Sequence, residues 1–177
     1  MKRLQVVGIG VALLLSILLI GCGNEESTSA GEETQAADTV SAASIVDTSE
    51  GFLKAAGANG TWIIAVTDDI TIDQEIVVAG QFTRRDEIYR KIALYAQDED
   101  RNVTDRYTLT APKMTVRSEN TRIQGGTFVG DVYVEANKFH VYDGKVEGDI
   151  YFAKEEYKDS FSLQEGGEVT GELKVLE

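Results

Sequence analysis

Asp131, Asp149 and Glu172 are the residues whose type and spacing come nearest to chemistry. Each follows a glycine inside a nine-residue pattern that occurs three times, at Gly126 to Val134, Gly144 to Phe152 and Gly167 to Val175. If the copies stack, the carboxylates stack with them, and oxygen ligands of that kind suit Ca²⁺. The competing reading is a solvated acidic corner beside glycine turns, because a Ca²⁺ site also needs carbonyl ligands and a defined cage. Weighing the two, the sequence predicts no metal and no other cofactor. Tyr133 and Tyr151 occupy one position of the same pattern and point outward, which suits contact with carbohydrate or protein, or plain cross-strand packing. His140 is the only histidine, and no partners for a catalytic triad or a His-based metal site accompany it. Asp98, Asp100 and Asn102 have the opening spacing of an EF-hand loop. Val103 stands where glycine is required and Leu109 where the final glutamate belongs, so a polar hairpin tip between Tyr95 and Tyr107 is the better reading.

The elements that must position these residues follow from the repeat. Its copies start 18 and then 23 residues apart. Apolar side chains alternate within each copy, so one face is buried and the other wet. A period of 18 is too short for a βαβ unit of roughly 30 residues. It fits a coil of three short strands, stacked in parallel about 4.8 Å apart around a shared apolar interior. The interior is predicted to hold Phe128, Val132, Val134, Phe139, Val141, Val146, Ile150, Phe152, Phe161, Leu163, Val169, Leu173 and Val175. Ala111 to Val116 matches Ala136 to Val141 as a second motif, with a looser copy at Asp159 to Leu163, which makes Thr115, His140 and Ser162 equivalent. The extra residues of the last interval fit a loop around Lys154 to Lys158. Upstream, Trp62 to Val66, Ile70 to Ile72, Ile76 to Val78 and Ile92 to Tyr95 read as strands, and Glu50 to Gly57 as a short helix with a glycine stop. The fold class is therefore all-β: a short-rung parallel β-helix, or β-solenoid, with a short N-terminal capping helix. Right-handedness is the default for parallel crossovers. An antiparallel sandwich is the alternative.

Composition narrows the function. The formal charge is −13 over 177 residues, and loss of Lys2 and Arg3 with residues 1–21 takes it to −15. Such an acidic chain argues against nucleic acid as a partner and against basic-patch adhesion to anionic lipid. Residues 23–49 are small, polar and acidic, without an aromatic or basic residue. They read as a disordered tether whose root-mean-square reach is roughly 30 Å. Ahead of them, Lys2 and Arg3 precede an apolar run from Leu4 to Ile20 and then Gly21 and Cys22, the order of a secretory signal peptide. An uncleaved membrane anchor is the alternative reading of that run. Leu19-Ile20-Gly21-Cys22 resembles the lipobox of bacterial lipoproteins. The resemblance implies that Cys22 becomes the lipid-bearing first residue of the mature chain, anchored outside the cytoplasm at a bacterial membrane. The domain plan is signal peptide 1–21, lipidated cysteine and tether 22–49, and β-helix 50–177.

The recurring Gly-x-apolar-x-Gly-Asp-apolar-x-apolar resembles the rungs of bactofilins, polymer-forming bacterial β-helix proteins, over Thr108 to Val175. That family is mostly cytoplasmic, whereas this chain carries an export signal, so what the resemblance implies is the fold and a habit of end-to-end assembly. Leu173, Val175 and Leu176, in the last rung, form the expected assembly edge. The function expected is a non-catalytic, membrane-anchored envelope scaffold or binding module, partnered by its own kind and by an envelope polysaccharide or protein. The alternative is a small lyase-like, polysaccharide-active enzyme using the acidic ladder and Arg117 or Arg122.

Overall fold

The structure is a computed structural model and describes residues 43–176. Cys22, the signal peptide and most of the tether lie outside the described residues. Within them, six parallel coils stack into a β-solenoid. The first coil consists of β1 (Ala43–Val46) and α1 (Ser49–Ala56). The second consists of β2 (Ile63–Val66), β3 (Ile70–Thr71) and β4 (Ile76–Val78). A small hairpin, β5 (Thr83–Arg84) and β6 (Glu87–Ile88), leads to the third coil. That coil begins with β7 (Arg90–Ala93), extrudes the hairpin β8 (Tyr95–Gln97) and β9 (Val103–Arg106), and closes with β10 (Thr108–Val116). The fourth holds β11 (Thr121–Gln124) and β12 (Thr127–Val134). The fifth holds β13 (His140–Tyr142), β14 (Lys145–Glu147) and β15 (Ile150–Phe152). After α2 (Glu155–Asp159) the sixth holds β16 (Ser162–Gln164), β17 (Glu168–Val169) and β18 (Leu173–Val175).

One sheet runs β1-β2-β7-β11-β13-β16; below it is called the A face. The other sheet is bent at a corner, with β3, β14 and β17 on one arm and β4, β15 and β18 on the other. The long β10 and β12 run through both arms. The nine-residue copies align as the sequence predicts: Phe128, Val146 and Val169 share one stack, and Val132, Ile150 and Leu173 another.

Three expectations need correction. Residues 43–49, assigned to the tether, are ordered: β1 pairs in parallel with β2, and the Thr48 hydroxyl accepts the Gly51 N–H at 3.3 Å to cap α1. The strand is only four residues long and buries one side chain, Val46, too short a pattern to stand out from the polar stretch before it. The second motif was placed on the wrong face. Lys113 to Val116 pairs with Asp131 to Val134, whereas His140 to Tyr142 pairs with Arg122 to Gln124. Arg122, not Thr115, is therefore the counterpart of His140 and Ser162. Alternating apolar residues occur on every face, so the pattern could not distinguish one face from another. Thr108 to Val116 is in fact a further copy of the nine-residue repeat, concealed by one extra residue at Ala111-Pro112 where later copies have a single glycine. The expected loop around Lys154 to Lys158 is largely a helical turn, α2.

Burial follows the predicted interior except at one end. Phe128, Val132, Val134, Phe139, Val141, Val146, Ile150 and Phe152 are fully buried. Phe161, Val169 and Val175 are half-buried, and Leu163 and Leu173 are exposed. All five belong to the last coil or lead into it. At the opposite end α1 lies over the second coil with Phe52, Ala55 and Ala56 buried. Arg90, fully buried at the start of β7, secures that helix: its guanidinium donates to the Ala55 carbonyl at 2.6 Å and to the Ala79 carbonyl at 2.9 Å. Burial draws its pKa down to about 10.

Val132, Ile150 and Leu173 share a register but not an environment, which predicts different tolerances. Ile150→Asp buries an unpaired charge and is expected to lower folding stability by about 4 kcal/mol. Leu173→Asp, at the exposed end, is expected to cost about 1 kcal/mol or less. Urea unfolding midpoints of the two variants check the order.

Candidate functional site

The bend of the second sheet brings the three carboxylates together. At the corner each coil approaches the next so closely that a Cβ on Gly130 would collide with the Ala111 carbonyl oxygen, and one on Gly148 with the Gly130 carbonyl oxygen. The next residue after each glycine then turns its side chain along the stack. Asp131 Oδ1 accepts the Asp149 N–H at 3.0 Å, and Asp149 Oδ1 accepts the Glu172 N–H at 2.8 Å. Lys174 Nζ donates to Asp149 Oδ2 at 2.6 Å and pairs with Glu172 at 2.8 Å, and the Tyr151 hydroxyl donates to Asp149 at 3.0 Å. The candidate Ca²⁺ residues thus form a hydrogen-bonded ladder whose oxygens face backbone N–H groups and an ammonium. Among the described residues no group of three or more His, Cys, Asp and Glu side chains is arranged to hold a metal ion.

Tyr133 and Tyr151 do point outward, side by side, with ring centroids 4.7 Å apart and planes 23° apart. Lys113 lies over Tyr133 at 4.3 Å and Lys174 over Tyr151 at 5.4 Å. The four make a continuous cation–π stack along the solenoid. The ring faces on which a sugar would stack are occupied, and both lysines have carboxylate partners, Lys113 with Glu75 at 3.2 Å.

The remaining sequence candidates separate. Arg117 pairs with Glu135 at 2.8 Å. Asp98 to Asn102 is the tip of the β8–β9 hairpin, where Asp98 accepts the Asn102 N–H at 2.8 Å. His140 lies half-buried on the A face with its Nδ1 2.7 Å from Ser162 Oγ. Burial, and then the charges of Arg122 and Lys138, hold its pKa below the ordinary imidazole value.

The A face is the part of the surface the sequence reading overlooked. Its outward positions form two rows, Ala43-Ile63-Lys91-Arg122-His140-Ser162 and Ile45-Ala65-Ala93-Gln124-Tyr142-Gln164. Neither row contains an aspartate or glutamate. Arg122 lies between the rings of Tyr142 and Tyr89, at 4.6 and 5.6 Å. Arg84, from the β5–β6 hairpin, covers Trp62 at 4.7 Å, and Trp62 meets Tyr89 at 5.7 Å. Lys91 donates to the Tyr95 hydroxyl at 2.7 Å. These residues are 80 positions apart in sequence at the extremes, from Trp62 to Tyr142, and they reach the face from strands, from turns and from the β5–β6 hairpin, so no single sequence period links them.

Comparison with family models, with curated proteins and with solved structures finds no match to this chain. Function has to be argued from the geometry.

The ladder makes a pH prediction. The Lys174 ammonium first, then the Glu172 N–H and the Tyr151 hydroxyl, hold the Asp149 carboxyl at about 2, below its usual 3.8. A carboxyl with a depressed folded-state pKa stabilises the fold above its unfolded value and loses that contribution as pH falls through the folded value. The Asp149 contribution is thus complete above pH 3.8 and fades toward about 2. Asp149→Asn is expected to lower the unfolding midpoint at neutral pH and to flatten its fall across that acid window, as followed by circular dichroism.

Proposed function

We propose that this chain is a non-catalytic envelope lipoprotein, anchored through Cys22, whose β-solenoid serves as a scaffold by pairing its C-terminal coil with that of a second copy. The observation that carries the reading is the difference between the two ends. The first coil is closed by α1 and Arg90. In the last coil Leu163 is 48% exposed, Leu173 39% and Leu176 44%. The strands β16, β17 and β18 each pair on one side only among the described residues. Unpaired strand edges beside exposed apolar side chains are a template for a further strand. A second copy fits because a two-fold axis through the end face would set each edge strand antiparallel to its equivalent, an isologous contact needing no other partner. Glu165, Glu168 and Glu172 rim this end and limit the association to contacts that keep the carboxylates in water.

A lyase-like activity receives less support. Arg117 is neutralised by Glu135, and the ladder carboxylates are engaged by N–H groups and Lys174.

Two measurements test the proposal. Sedimentation of the full chain in detergent is expected to give a dimer or larger species at micromolar concentration, and Val175→Lys is expected to shift it to monomer. A monomer at every concentration, unchanged by the substitution, removes the scaffold reading. The anchor is tested separately: Cys22→Ala is expected to abolish lipid labelling and leave an unprocessed precursor, as read by mass spectrometry of membranes.

A further inference from the structure

We propose that the outer A face is a binding surface for an anionic polysaccharide, held by Lys91, Arg122 and Arg84 among the rings of Trp62, Tyr89 and Tyr142. The argument starts from charge. The chain has 30 acidic and 17 basic residues, yet the two outward rows of this six-stranded sheet carry no carboxylate. Elsewhere on the solenoid five cations, Lys113, Arg117, Lys145, Arg106 and Lys174, form ion pairs with carboxylates. Lys91, Arg122 and Arg84 form none among the described residues. Their contacts are aromatic rings, the Tyr95 hydroxyl and the Gln164 amide.

Arg122 makes the point most sharply. Its guanidinium is held between two rings, its Nε is buried without a hydrogen-bond partner, and its one polar contact is a 3.5 Å approach to Gln164. A guanidinium held between two rings, whose one polar contact is a long one to Gln164, has donors left to receive a carboxylate or phosphate from solvent. Exclusion of neighbouring carboxylates leaves that role to an external anion.

The rest of the face fits sugar better than lipid or protein. The amides of Gln124 and Gln164, the Ser162 hydroxyl and the His140 ring offer both donors and acceptors for hydroxyl groups. Tyrosine and tryptophan supply amphipathic surface beside them. Coils about 4.8 Å apart present these groups at regular intervals along one line, as an extended polymer requires. A membrane surface would need apolar side chains projecting from the middle of the face, and the strongly exposed one, Ile45 at 77%, stands on the edge strand β1. The surface is a side of the solenoid, separate from its C-terminal coil, so this proposal and the assembly reading can fail independently.

The test is binding of the full chain in detergent to polygalacturonate, which carries carboxylates, and to poly(glycerol phosphate), with neutral dextran and glycerophosphoglycerol, a soluble lipid headgroup, as comparisons. Expected is salt-sensitive binding to at least one anionic polymer and none to dextran, the two polymer arms distinguishing carboxylate from phosphate. Lys91→Gln with Arg84→Gln is expected to weaken binding at least tenfold, and Arg122→Gln likewise, with thermal melting checked for each. Lys54→Gln with Lys158→Gln, the same loss of charge elsewhere, and Val175→Lys are expected to leave it unchanged. Failure to bind either polymer, equal loss in the charge-matched control, or tighter binding to the lipid headgroup than to either polymer overturns the proposal.

Discussion

The close approach of successive coils at the bend of the second sheet is the constraint on which the rest depends. Gly130, Gly148 and Gly171 stand there with backbone from the preceding coil where a side chain would be. Only a residue without Cβ lets the strands on both sides of the corner keep parallel pairing and one register. Asp131 and Asp149 use the same closeness, each accepting an N–H from the next coil that the turn would otherwise leave without a strand partner. Register, corner and ladder are thus one device, and the core stacks of Val132 and Ile150 inherit their alignment from it.

A stack of this kind has two ends, and its interior is sealed only if something covers them. At the N-terminal end the covering element is α1, with its apolar side on the second coil and its Ala55 carbonyl held by Arg90. A guanidinium beneath a helix C-terminus complements the helix dipole as well as the orphan carbonyls. At the C-terminal end Phe161 packs on Phe139 and Phe152 from beneath, with centroids 5.8 and 5.4 Å apart, but the leucines beyond remain open. Among the described residues, then, one end of the stack is covered by a helix and the other leaves apolar side chains exposed.

The sides divide by electrostatics. On the arm that carries Tyr133 and Tyr151, cations, rings and carboxylates satisfy one another along the stack. On the A face Lys91, Arg122 and Arg84 meet rings, the Tyr95 hydroxyl and the Gln164 amide, with no ion pair among the described residues. The same residue types therefore serve packing on one side and leave unmatched charge on another, and the difference lies in where the carboxylates fall.

The parallel solenoid was legible in the sequence because the glycine-flanked copies preserve their internal spacing even when the interval between them lengthens from 18 to 23 residues. The helix at Ser49–Ala56, the hairpin at Asp98 to Asn102 and the inward alternation of the last three coils were legible for similarly local reasons. The copy at Thr108 to Val116 was not, because Ala111-Pro112 replaces the glycine that marks the others. Nor was β1, four residues at a sheet edge with a single buried side chain, too short a pattern to mark a strand. The position of His140 was misassigned because an alternating triplet has the same appearance on every face. By itself, then, the sequence determined the period, the inward side chains and the equivalence of Asp131, Asp149 and Glu172. Only the tertiary structure decided which coil faces joined, that Arg90 would be buried under a helix, and that Trp62, Arg84, Arg122 and Tyr142 would share a surface. The reason is geometric: periodicity is a property of neighbours along the chain, whereas a face of a solenoid is assembled from residues one coil apart, and turns of varying length set which of them meet.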